Sequence, residues 1–115
     1  MMIHSETSHG QCAFLQKLVK ENNCKKSIEL GFAFGMSAIA ITEIVAENGG
    51  DHTVIDKFQY TEWKGAGLDL VEQAGLSDKV HFYEEYCYVI LPQLINSQEK
   101  FDFAYIDSTK QFDWL

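Results

Sequence analysis

Positive charge is scarce in this sequence. Nine basic side chains stand against 17 aspartates and glutamates, which leaves a net charge of −8 and a pI near 4.8. Binding to nucleic acid or to an anionic membrane is disfavoured, because phosphates would work against the chain's own field. Cysteine is sparse as well. Cys12, Cys24 and Cys87 are odd in number and widely spaced, with no C-x-x-C and no paired histidines nearby, so neither a disulfide framework nor a zinc site is indicated. They read as small buried or half-buried side chains in a reducing compartment. His4, His9, His52 and His81 are scattered and read as ordinary surface or strand residues. No apolar stretch approaches the roughly 18 residues that a membrane span needs. The opening "MMIHSETSHG" lacks a basic region followed by an apolar run, so a cytoplasmic location is the default expectation. Repeats, linkers and low-complexity runs are also missing.

What is present is an ordinary globular composition, 46% hydrophobic and 23% charged, in a chain of 115 residues that accommodates one domain. The chain alternates helix-like and strand-like segments. An amphipathic helix is expected from His9 to Asn22, with Phe14, Leu15, Leu18 and Val19 on one side. Ser27 to Leu30 reads as a strand and Met36 to Glu47 as a helix that "NGG" at Asn48 to Gly50 terminates. "HTVID" gives a second strand ending at Asp56. A helix from about Glu62 to Ala74 follows, weakened by Gly65 and Gly67 and stopped by Gly75. "KVHFY" gives a third strand, a short helix spans about Tyr88 to Asn96 with Pro92 near its first turn, and "FDFAYID" from Phe101 to Asp107 gives a fourth strand. Strands separated by helices of this length pair in parallel with right-handed crossovers, hence an α/β, doubly wound, Rossmann-like sheet.

In such sheets ligands bind beyond the carboxyl ends of the strands. After the first strand, "SIELGFAFGMS" sets Gly31 and Gly35 four apart and opens a helix, a turn that presents free backbone N–H groups and a positive dipole end. A tight β-to-α turn would have the same glycines. Asp56 ends the second strand, 21 residues beyond Gly35, where a carboxylate can accept from both hydroxyls of a ribose, or else cap the next helix. Turn and carboxylate together suggest a cofactor that contains adenosine.

"IELGFAFGMSAIAI" resembles motif I of S-adenosylmethionine-dependent methyltransferases of class I, in the E-x-G-x-x-x-G-x-S form of small-molecule O-methyltransferases. "HTVID", "AGLSDKVHFYEEYCYVILPQL" and "FDFAYIDSTKQF" are similar to the later motifs of the catechol and caffeoyl-CoA type, in the same order. The resemblance implies a strand order of 3-2-1-4 and a single S-adenosylmethionine-binding domain over residues 1–115, incomplete relative to the seven-stranded methyltransferase fold. It implies that Gly31 and Gly35 admit the methionine portion of S-adenosylmethionine, that Ser37 contacts its carboxylate and that Glu29 orients its amino end. Asp56 would bind the ribose, and the Tyr86 to Cys87 turn would border the adenine. Asp107 would ligate a divalent cation such as magnesium, and Lys110 would be the general base for the hydroxyl of a small-molecule acceptor.

Two departures from that pattern stand out. Glu85 and Tyr86 replace the usual Gly-Asp after the third strand, and the family's fifth-strand acidic pair has no counterpart before Leu115. The expectation is therefore the N-terminal, cofactor-binding half of a methyltransferase domain, which would not methylate a catechol alone. The fourth strand would be an open edge, inviting a homo-oligomer. The rival readings are a non-catalytic cofactor-binding or assembly module of the same fold and, more remotely, a nicotinamide-dependent oxidoreductase.

Overall fold

The computed structural model describes residues 2–4, 9–32, 35–61 and 63–106. Five parallel strands form one sheet: β1 (Met2–His4), β2 (Lys26–Leu30), β3 (Asp51–Ile55), β4 (Val80–Tyr83) and β5 (Phe103–Ile106), in the order β1-β5-β2-β3-β4. The four expected strands thus lie side by side as anticipated, with a fifth added. That addition corrects the expectation of an open edge on the fourth strand. β1 pairs with the outer side of β5, Met2 opposite Ala104 and His4 opposite Ile106, so β5 has backbone partners on both sides. The premise on which a homo-oligomer through that edge rested is removed.

Each crossover is a helix: α1 (His9–Glu21), α2 (Met36–Glu47), α3 (Ala66–Gln73) and α4 (Cys87–Asn96). The strand period of two sends alternate residues of β2 to opposite faces. Ile28 and Leu30 pack with Ile55, Cys87, Ile90 and Leu94 on the α4 side. On the other side, α1 and α2 bury Leu15, Val19, Ile41 and Val45 against Phe103 and Tyr105. Ala38 and Val71 close the same layer over Val54 and Phe32.

Three boundaries move for identifiable reasons. α3 begins at Ala66 rather than near Glu62, because Gly65 takes a left-handed conformation (φ 76°) and forms the N-cap. Pro92 is the sixth residue of α4, beyond the expected first turn, since that helix already starts at Cys87. Pro92 cannot donate to residue 88, yet Ile90 and Leu94 on either side of it stay packed on the sheet. β5 starts at Phe103 because Asp102 serves as a clasp: its carboxylate accepts from the amides of Lys25 (2.8 Å) and Lys26 (3.1 Å), and its own N–H donates to the Lys26 carbonyl (2.8 Å).

Candidate functional site

Of the residues that the sequence pointed to, Gly31, Gly35, Asp56 and Tyr86 lie at the carboxyl ends of β2, β3 and β4. Gly31, at φ 102°, leaves β2 and donates its N–H to the Ile55 carbonyl at 2.9 Å. Gly35, at φ 87°, is the N-cap of α2 and supplies no side-chain cap, so nothing from the cap residue covers the first-turn N–H groups. A Cβ at Gly35 would stand 2.9 Å from the Gly67 carbonyl oxygen. The starts of α2 and α3 therefore approach each other closely, and Gly67, read in sequence as a weak point, is where they meet.

Glu29 and Ser37 lie beneath this turn. Ser37 donates its hydroxyl proton to Glu29 Oε2, and Glu29 Oε1 pairs with His52 Nε2 at 2.9 Å. His52 Nδ1 is 2.7 Å from Ser27 Oγ. Ser27, Glu29 and His52 are 0% exposed and Ser37 is 2% exposed. A serine, a histidine and a carboxylate in series are the parts of a nucleophilic triad, but full burial closes Ser27 to any substrate. Burial pushes the Glu29 carboxyl up from its ordinary value of 4.5, the His52 and Ser37 hydrogen bonds act in the opposite direction, and Asp56 adds to the rise. A carboxyl raised in the fold stabilises fully below its ordinary value, and that contribution is lost as pH climbs through the folded value. Glu29→Gln should accordingly gain stability relative to the native protein as pH increases above about 4.5, as read from urea midpoints taken across pH.

Asp56 closes β3. Its Oδ2 accepts from the Phe32 amide at 2.9 Å and its Oδ1 from the Phe58 amide at 2.8 Å, and the residue is 2% exposed. Its own N–H donates to the Tyr83 carbonyl at 3.0 Å, so one residue ties together the ends of three strands. Beyond β4, Tyr86 is the N-cap of α4, with its ring stacked on Tyr88 at 5.2 Å, edge-on to Phe58 at 6.0 Å and under Lys57 Nζ at 5.7 Å. Cys87 is 3% exposed and packs in the apolar layer beneath the sheet, where burial raises its thiol pKa. Asp107 and Lys110 lie outside the described residues.

Comparison with known proteins decides the family. The O-methyltransferase family profile matches residues 1–113. The chain belongs to the O-methyltransferase family. Among its relatives, a caffeoyl-CoA O-methyltransferase of Populus kitakamiensis is 33% identical over 102 residues, covering 84% of this chain and 41% of the relative. The tapetum-specific methyltransferase 1 of Arabidopsis thaliana is 32% identical over 99 residues, covering 84% and 41%. The structure of an O-methyltransferase from Bacillus cereus in complex with SAH superposes with a TM-score of 0.78 at 28% identity, covering 95% of this chain and 51% of that one. An SAH-bound methyltransferase from Podospora anserina, 20% identical with a TM-score of 0.79, shares the fold. The chain spans about 40% of the length of the curated relatives that it matches.

One residue of the site had no sequence signal. Gln59 is 0% exposed, and its Oε1 accepts from the amides of Gly67 at 2.6 Å and Leu68 at 3.2 Å. It caps α3 from outside the usual cap position, so neither spacing nor residue type marked it. Gln59→Leu would leave both amides without that acceptor and should cost about 2–3 kcal/mol, measurable by urea denaturation. Two concavities lie elsewhere: one of about 410 Å³ runs between α1 and α2 along Cys12, Gln16, Ile39 and Glu43, and one of about 380 Å³ lies at the opposite end of the sheet beside Lys25, Asp51 and Lys79. Among the described residues no three His, Cys, Asp or Glu side chains converge to hold a metal ion, and none of the helices is long and apolar enough to cross a membrane.

Proposed function

We propose that this chain is the cofactor-binding portion of an S-adenosylmethionine-dependent O-methyltransferase that acts on a small-molecule acceptor. The observation that carries the reading is Asp56: a carboxylate oriented by two backbone amides at a strand end, beside a glycine turn and a helix start without a side-chain cap. These parts suit an adenosyl amino acid. The ribose diol needs a fixed acceptor, and a ligand carboxylate is favoured at a helix N-terminus. Gly31 and Gly35 leave room for the backbone to approach the ligand. Ser37 commits its hydroxyl proton to Glu29, so the first-turn amides of α2 are the donors for that carboxylate. Tyr86, with Phe58 and Tyr88, offers aromatic surface for the adenine border.

S-adenosylmethionine supplies an activated methyl group for in-line displacement, which leaves the protein the tasks of alignment and of deprotonating the acceptor hydroxyl. The resemblance assigns the base to Lys110 and a magnesium ligand to Asp107, and both remain part of the proposal. The SAH bound to the Bacillus cereus O-methyltransferase supports the cofactor class, and the caffeoyl-CoA O-methyltransferase relatives support an oxygen acceptor on a small molecule.

Calorimetric titration with S-adenosylhomocysteine tests the proposal. A dissociation constant on the order of micromolar is the expected result. Absence of heat from a sample shown to be folded by its far-ultraviolet circular dichroism and cooperative unfolding would overturn it.

A further inference from the structure

The buried polar chain under the glycine turn contains a residue to which neither the motif nor the family profile gives a task. His52 sits on β3 opposite Ser27 of β2 and reaches diagonally to Glu29, whose other oxygen holds Ser37 in the first turn of α2. α2 otherwise meets the sheet layer through Ala38, Ile41 and Val45, while the Thr42 hydroxyl, also buried, finds no hydrogen-bond partner among the described residues. Apolar contacts allow a helix to slide or roll at small cost, since they are not directional. A hydrogen bond to a fully buried acceptor is directional and does not. Glu29 can remain in place only while its other oxygen has a donor, because an unpaired buried carboxylate is strongly disfavoured.

We propose that His52 is a positioning residue: acting through Glu29, it fixes Ser37 and thereby the N-terminal turn of α2 that lines the ligand side of the sheet. The inference deepens the proposed function, on which its ligand-binding part rests. His52 touches no ligand itself, since it is 0% exposed. Its effect is carried by two hydrogen bonds in series, His52 to Glu29 and Ser37 to Glu29.

The test combines amide hydrogen exchange with S-adenosylhomocysteine titration on four forms of the chain. In His52→Phe, Glu29 loses its ring partner, and protection of the Ile39 and Ala40 amides should fall by about tenfold or more relative to that of the Val19 amide in α1. Ligand affinity should fall by a similar factor. His52→Gln keeps an N–H near the position of Nε2 and should return both quantities to within about threefold of the native protein. The double replacement Glu29→Leu with His52→Phe removes both polar groups and should recover much of the melting temperature lost in the single variant. It should recover neither the α2 protection nor the affinity.

A structural role alone predicts a different pattern. If His52→Phe lowers protection evenly in α1 and α2, or if the double variant regains affinity together with its melting temperature, the positioning role is overturned. Failure of the native chain to bind S-adenosylhomocysteine would remove the proposed function, and the exchange pattern would still decide whether His52 holds α2.

Discussion

Alanine at Gly50 should remove most of the stability of this domain. A Cβ there would lie 1.6 Å from the Lys25 carbonyl oxygen and 2.4 Å from its carbon, so the obstruction is backbone and no side chain can rotate away. The same carbonyl accepts the Asp51 N–H at 2.9 Å, the bond that begins the pairing of β2 with β3. Relief therefore requires the two central strands to separate at their start. Overpacking that side chains can absorb costs about 1–3 kcal/mol, and here the register of the sheet is lost as well, so a cost of at least about 3 kcal/mol is expected against a total of roughly 5–15 kcal/mol. Gly49 provides the control. It has open space around its Cβ position but φ 88°, so Gly49→Ala should cost only about 1 kcal/mol of backbone strain. Urea unfolding followed by tryptophan fluorescence compares the two, and equal costs would show that the approach of Gly50 to Lys25 is not tight.

The second large effect is expected at Asp56, where stability and ligand binding separate by substitution. Asp56→Ala leaves the buried amide of Phe32 and the half-buried amide of Phe58 without their carboxylate acceptor, a loss of about 3 kcal/mol or more. Asp56→Asn retains one acceptor oxygen and should lose roughly half of that. For S-adenosylhomocysteine the asparagine variant should bind at least about tenfold more weakly, because a ribose diol is held best by a charged acceptor. The alanine variant should show no measurable heat. Native affinity in a folded Asp56→Ala sample would take Asp56 out of the site and leave it as the tie among three strand ends.

The central strands were legible because their signals are local. Ser27 to Leu30, "HTVID" and "KVHFY" are short runs bounded by turn residues, and a strand that is paired on both sides must hide both of its faces. β1 was not legible. Three residues carry no period, and their partner is β5, about a hundred positions away in the chain. α3 was expected too early because an apolar pattern continues through Gly65, whose left-handed conformation is fixed by its surroundings. Cys87 was expected to border the adenine together with Tyr86, yet the start of α4 turns its side chain into the core.

The sequence by itself determined the alternation of helices and strands, the glycine turn after the first central strand and the aspartate at the end of the second, since each depends on residues within one or two turns of chain. Tertiary structure alone decided where Glu29 points and what it meets. A glutamate in a strand can face a ligand or the core, and its direction follows from the donors that the neighbouring elements supply. Here His52 comes from the adjacent strand and Ser37 from the following helix, and only the packed sheet brings the three together.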